Sequence, residues 1–125
     1  MRIADDMTLL DIQIAFNQTF PFLKVEFYKG THDSGQGSPV RTQLDAKQPL
    51  AKVRRVHNEG ELAISTGMTV AELEQAFQDR YGLNAQVFRK SGNLWMQTTA
   101  TDNWTLGEQN RKGGSSEKIF SEKYG

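Results

Sequence analysis

The sequence predicts a single α+β domain, and two observations carry that prediction. The first is an internal repeat. Residues 3–29 (IADDMTLLDIQIAFNQTFPFLKVEFYK) and 64–90 (ISTGMTVAELEQAFQDRYGLNAQVFRK), slid by 61 positions, bring Ile3, Met7, Thr8, Ala15, Phe16, Phe27 and Lys29 onto identical residues. The second is a change of hydrophobic period inside each copy, from helical spacing to strict alternation, which reads as strand–helix–strand twice over. Two copies are too few for a solenoid. They are expected to build one pseudo-symmetric domain over residues 1–112, with copies at about 2–29 and 61–90. The expected architecture is a mixed sheet with the helices on one face, in a ferredoxin-like connection order, plus an extra C-terminal hairpin strand.

The elements follow in order. Short strands are expected at 2–4 and 61–65, with Leu62 and Ile64 facing inward. In the second copy Thr69 followed by Glu72 is a capping box, and Met68 with Leu73 can close a hydrophobic staple. Thr8 with Asp11, and Met7 over Ile12, repeat the pattern in the first copy. Leu9, Ile12, Ala15, Phe16 and Phe20, matched by Val70, Leu73, Ala76, Phe77 and Tyr81, each form one apolar stripe; such stripes are core faces rather than cofactor boxes. Pro21 and Gly82 end the helices. Leu23, Val25 and Phe27 then alternate with Lys24, Glu26 and Tyr28, and Leu83, Ala85 and Val87 alternate with Asn84, Gln86 and Phe88.

Residues 30–48 (GTHDSGQGSPVRTQLDAKQ) read as a long mobile loop. Pro49 to His57 reads as a short helix, with a strand as the competing assignment, before a turn at Asn58-Glu59-Gly60. After the second copy, a two-residue turn at Ser91-Gly92 would set Lys90 opposite Asn93, Phe88 opposite Trp95, Gln86 opposite Gln97 and Val87 opposite Met96, on an added strand over 93–99. Thr105 and Glu108, behind Trp104, start a third, short helix. Gly113-Gly114-Ser115-Ser116 is expected to end it, leaving 113–125 as a disordered tail.

Composition bounds the function. Apolar residues make up 37% and charged residues 24%, the balance of a water-soluble domain, and the net charge is zero, so no global field draws the protein to nucleic acid or membrane. Residues 31–58 carry five Lys/Arg against two Asp, and residues 59–92 five acids against three bases, a modest polarity. The chain has no cysteine, which excludes disulfides, thiolate nucleophiles and Cys-ligated metals. No apolar run is long enough for a signal peptide or a membrane span. A cytoplasmic protein is expected.

Chemical motifs are sparse. His32 and His57, the two histidines, sit far apart with no metal-binding spacing. Ser91, Ser115 and Ser116 lack a nucleophile-elbow context, and Gly35-Gln36-Gly37 lacks the setting of a dinucleotide or phosphate loop. No catalytic, cofactor-binding or metal residue is assigned, no cofactor is expected, and an enzyme is disfavoured. One surface stands out. Alternation puts Tyr28, Gln86, Phe88, Lys90, Trp95 and Gln97 on a sheet face turned away from the helices. It is a candidate contact for a protein or small ligand. It is also how a stacking platform for single-stranded nucleic acid would look, with Lys52, Arg54, Arg55 and Arg89 as candidate anion contacts. Against that platform, Trp104, Leu106 and the third helix could cover the face as a second small core.

The stretch Val87–Asn110 (VFRKSGNLWMQTTATDNWTLGEQN), with the preceding KVRRVHNEGELAISTGMTVAELE block, resembles a segment shared by small uncharacterised bacterial proteins. The resemblance covers most of the chain beyond residue 50. It implies a bacterial α+β domain and carries over no activity and no site residue.

Overall fold

Local capping chemistry sets where the helices start. The structure, a computed structural model, describes residues 1–30 and 35–124. Helix α1 (Leu9–Thr19) begins at Thr8, whose Oγ1 accepts from the Asp11 amide at 3.2 Å while Asp11 accepts from the Thr8 amide at 2.9 Å. Helix α3 (Val70–Tyr81) has the same reciprocal box, Thr69 with Glu72, at 3.1 and 3.2 Å. A short α2 (Leu50–Val53) follows Pro49, and α4 (Leu106–Tyr124) follows Thr105, whose Oγ1 accepts from the Glu108 amide at 3.1 Å.

The first amide of each helix, which the helix cannot satisfy internally, is met by the residue just before a neighbouring helix's cap. Leu9 N–H donates to Gln48 O and Leu50 N–H to Met7 O. In the same way Val70 N–H donates to Trp104 O and Leu106 N–H to Met68 O. Helices α1 and α2, and α3 and α4, are thus joined start to start.

Strands β2 (Leu23–Tyr28), β4 (Asn84–Ser91) and β5 (Leu94–Gln97) form an antiparallel sheet in that spatial order. Strands β1 (Arg2–Ile3) and β3 (Gly60–Glu61) form a separate antiparallel pair. The fold is α+β, but the expected mixed sheet and ferredoxin-like order are not what the strands make. With two residues each, β1 and β3 pair only with each other and never join the larger sheet. The helices pack on the face carrying Leu23, Val25, Phe27, Ala85 and Val87, which share one buried cluster with Leu9, Ile12, Phe16, Val70, Leu73, Phe77 and Leu106. Phe27 meets Phe77 edge to face, with ring centroids 5.5 Å apart.

Three local expectations are corrected. The hairpin turn is Gly92-Asn93, not Ser91-Gly92: Ser91 pairs with Leu94, Lys90 with Trp95, Arg89 with Met96 and Phe88 with Gln97. Gly92, with φ of +65°, sits at the first central position, where a type II′ turn calls for glycine. The expected 30–48 loop is not plain over its described part, residues 35–48. It holds a 3-10 turn at Val40–Thr42, and its Gln43 bridges to Tyr28 on the outer edge of β2. Finally, α4 runs straight through Gly113-Gly114-Ser115-Ser116 to Tyr124, so the expected break and tail are replaced by helix. The reason is contact. A Cβ on Gly113 would lie 3.0 Å from the Cβ and main-chain oxygen of Phe22, so glycine is what lets α4 lie close against the start of β2.

Candidate binding face

The observed hairpin register differs from the expected one by two positions in pairing, so face parity is preserved. Tyr28, Gln86, Phe88, Lys90, Trp95 and Gln97 do share the face opposite the core, together with Lys24 and Glu26 of β2. The face is not uniform along its length.

One end is covered. Tyr28 is 2% exposed and Gln86 1%. The Gln86 amide donates to Gln36 O and the Gln97 amide to Ser38 O, while Asn84 donates to Ser38 Oγ. Residues 36–38 therefore lie over this part of the sheet. Burial, reinforced by the nearby Glu26 charge, pushes the Tyr28 hydroxyl up to about 12. That hydroxyl makes no well-formed hydrogen bond, though the Gln97 side chain lies close enough to interact with it. Tyr28, Gln86 and Gln97 thus belong to a covered seam.

The other end is open. Phe88 and Trp95 are half-buried. The Lys24 ammonium lies 5.2 Å from both ring centroids and the Lys90 ammonium 5.0 Å from that of Trp95, within cation–π range. Each lysine also has a carboxylate, Lys24 with Glu26 at 3.6 Å and Lys90 with Glu117 of α4 at 3.8 Å. The open patch is aromatic and charge-balanced. It continues over the β2 edge into a shallow groove of about 290 Å³ where Trp95, Lys24 and Glu26 face Gln13, Ile14 and Asn17 of α1; Ile14 is 49% exposed. Phe88 and Trp95 are not direct cross-strand partners, because the turn is one residue later than expected. Trp104 does not cover them either. It sits against the Arg89 guanidinium, 5.6 Å from its ring, and Arg89 projects from the opposite face of β4.

The candidate anion contacts do not converge on this patch. Arg89 donates to Gln109 at 2.8 Å, and its burial lowers its proton affinity. Arg54 is 5% exposed and bound to Asp5: Nε donates to Oδ1 at 2.9 Å, and a terminal nitrogen lies 2.8 Å from the same oxygen, off hydrogen-bond geometry. Lys52 is exposed at the end of α2, with Arg55 just beyond it.

Sequence reasoning missed Asp5, Lys24, Glu26 and Glu117. Lys24 and Glu26 were recoverable from the alternation of β2; Glu117 was hidden by the assignment of its segment as tail. Asp5 also receives His57 Nδ1 at 2.7 Å. Burial would raise the Asp5 carboxyl, but the hydrogen bonds and charges of Arg54 and His57 outweigh it and hold the group below the usual carboxylate range. A pocket of about 450 Å³ lies nearby between Tyr28, Leu44, Val53, Arg55, Val56 and Leu83, but His57 is not among its lining residues. His32 lies outside the described residues. Among the described residues no His/Cys/Asp/Glu cluster could hold a metal ion, and no helix is long and apolar enough to cross a membrane. Comparison of the chain with protein-family models, curated proteins and solved structures finds no match.

Proposed function

We propose that this protein is a non-enzymatic binding or adaptor module, acting in the cytoplasm, whose contact surface is the open Phe88–Trp95 end of the three-stranded sheet. The observation that carries the reading is the half-buried Trp95 indole with the Lys24 and Lys90 ammonium groups against it. A large aromatic anchor with a polar, charge-paired rim is the composition of a protein–protein hot spot. Single-stranded nucleic acid is the second reading, favoured only by the half-buried Trp95 ring at the open end of the sheet. The same electrostatics weigh against it: both lysines are paired with carboxylates, Arg54 is buried on Asp5, and Arg89 faces the other side. A polyanion-binding groove needs unspent cations along one track.

We also read the chain as two copies of a longer unit, β1-α1-β2-α2 and β3-α3-β4-α4. The matching start-to-start helix joints support this.

The test is affinity capture from an extract of the source cells with wild type and Trp95→Ala, alongside a labelled-oligonucleotide titration. A protein partner held by wild type and weakened about 30-fold or more by Trp95→Ala is expected, as for truncation of a hot-spot tryptophan. Oligonucleotide binding that falls steeply with salt, with no protein partner, would instead install the second reading.

A further inference from the structure

The two edges of the three-stranded sheet are treated differently. The outer edge of β2 is paired near its end: Lys29 N–H donates to Thr42 O at 2.9 Å and Leu44 N–H to Phe27 O at 2.8 Å. The outer edge of β5 has no such cover among the described residues. On β4, Lys90 N–H points to Phe22 O, and Val87 O points the other way to Thr98 N–H. The odd-numbered residues of β4 therefore face β5. Their partners Leu94 and Met96 face back, which leaves the main-chain groups of Trp95 and Gln97 pointing outward. None of these outward groups has a partner among the described residues.

Side chains sharpen the point. Natural edge strands are protected by charge, proline or cover. Here Leu94 is 67% exposed and Met96 41%, and Trp95 between them is half-buried. The whole run from Ser91 to Thr101 (SGNLWMQTTAT) carries no charge and no proline.

We infer that the outer edge of β5 pairs with the same edge of a second copy of this chain, antiparallel about a two-fold axis at Met96. The pattern is self-complementary. Centred on Met96, it sets Trp95 opposite Gln97 of the partner subunit, so the outward groups exchange N–H···O=C bonds in both directions. An isologous contact of this kind closes as a dimer and leaves neither copy's β5 edge free. Met96 and the partner's Met96 then form a close non-hydrogen-bonded pair, with Leu94 beside them on the same face. The uncharged run brings no like charges together. A four-residue strand buries little area, so the dimer is a concentration-dependent one.

The cysteine-free chain makes the test clean. In Met96→Cys the only thiols of two copies meet at the axis, about 4.5 Å apart at Cα, which is within disulfide reach. Under mild oxidation Met96→Cys should form a covalent dimer at least about tenfold faster than Leu10→Cys, a control on exposed α1, because pairing raises the effective thiol concentration. Sedimentation should show a reversible dimer for wild type, lost in Met96→Lys, with unchanged circular dichroism. A wild type that stays monomeric up to about millimolar concentration overturns the inference, as does a dimer whose Met96→Cys form cross-links no faster than the control. Should Met96→Lys fail to fold, the wild-type sedimentation and the cysteine pair still decide. The edge is read separately from the Trp95 face, since Trp95→Ala removes the ring but leaves the main-chain groups in place.

Discussion

Gly113→Ala sets two effects against each other. In a solvent-exposed helix interior, replacing glycine by alanine gains about 1 kcal/mol from backbone entropy. Gly113 is buried mid-helix in α4, and its added Cβ would lie 3.0 Å from Phe22 Cβ, 3.0 Å from Phe22 O and 3.1 Å from Arg89 Cγ. The Phe22 oxygen cannot retreat freely, because it accepts from the Lys90 amide at 3.1 Å and so belongs to the β2–β4 junction. Overpacking of this kind costs about 1–3 kcal/mol. The net expectation is a loss of about 1 kcal/mol, read as a urea midpoint lowered by roughly 0.5–1 M. Gly114→Ala is the internal control. Its Cβ would meet only the edge of the Phe22 ring, at 3.0 and 3.1 Å, and a half-buried ring can turn aside. That variant should be neutral or slightly stabilised. Urea denaturation followed by circular dichroism compares the two. A Gly113→Ala protein more stable than wild type would refute the close docking of α4 against β2.

Further predictions rest on single carboxylates. Glu74, 6% exposed on α3, accepts from the Val87 amide at 2.8 Å, where β5 has already ended. Glu74→Leu should cost about 1–3 kcal/mol by stranding that amide, whereas Glu74→Gln should cost less; equal stability of all three proteins in urea would disprove the role. The Asp5 carboxyl is held below its ordinary value in the folded protein, so its contribution is present at neutral pH. It is lost as pH falls from about 4, where the unfolded carboxyl protonates, through the lower folded value. The stability gap between wild type and Asp5→Asn should therefore be largest near pH 7 and close in acid. A gap that widens on acidification would contradict the sign.

How much of this was legible depended on the range of the chemistry involved. Thr69 and Glu72 declare a helix start because donor and acceptor lie three residues apart. The stripe Leu73, Ala76, Phe77 and the alternation Leu23, Val25, Phe27 declare buried faces for the same reason. Even the shared face of Phe88 and Trp95 was readable, since parity survives a two-position change of register. The turn itself was misplaced because Ser91-Gly92 and Gly92-Asn93 are both good turn dipeptides. The sign of φ at Gly92 depends on which of them the paired strands select.

Other features had no local signature. Gly113-Gly114-Ser115-Ser116 reads as a helix stop until Phe22 is placed beside it. Arg54 reads as a surface cation until Asp5, 49 residues away, takes its guanidinium. Whether Tyr28 and Trp95 would be equally open turned on residues 36–38, which lie over one end of the sheet and not the other.

The sequence by itself determined the α+β class, the starts of the helices and the residues that face the core. Hydrophobic period and capping are properties of neighbours along the chain. Tertiary structure alone decided that β1 and β3 pair apart from the main sheet, that α4 continues through its glycines, and that Lys24 and Lys90 meet at Trp95. Those outcomes depend on contacts between segments distant in sequence, where shape and pairing geometry override local preference.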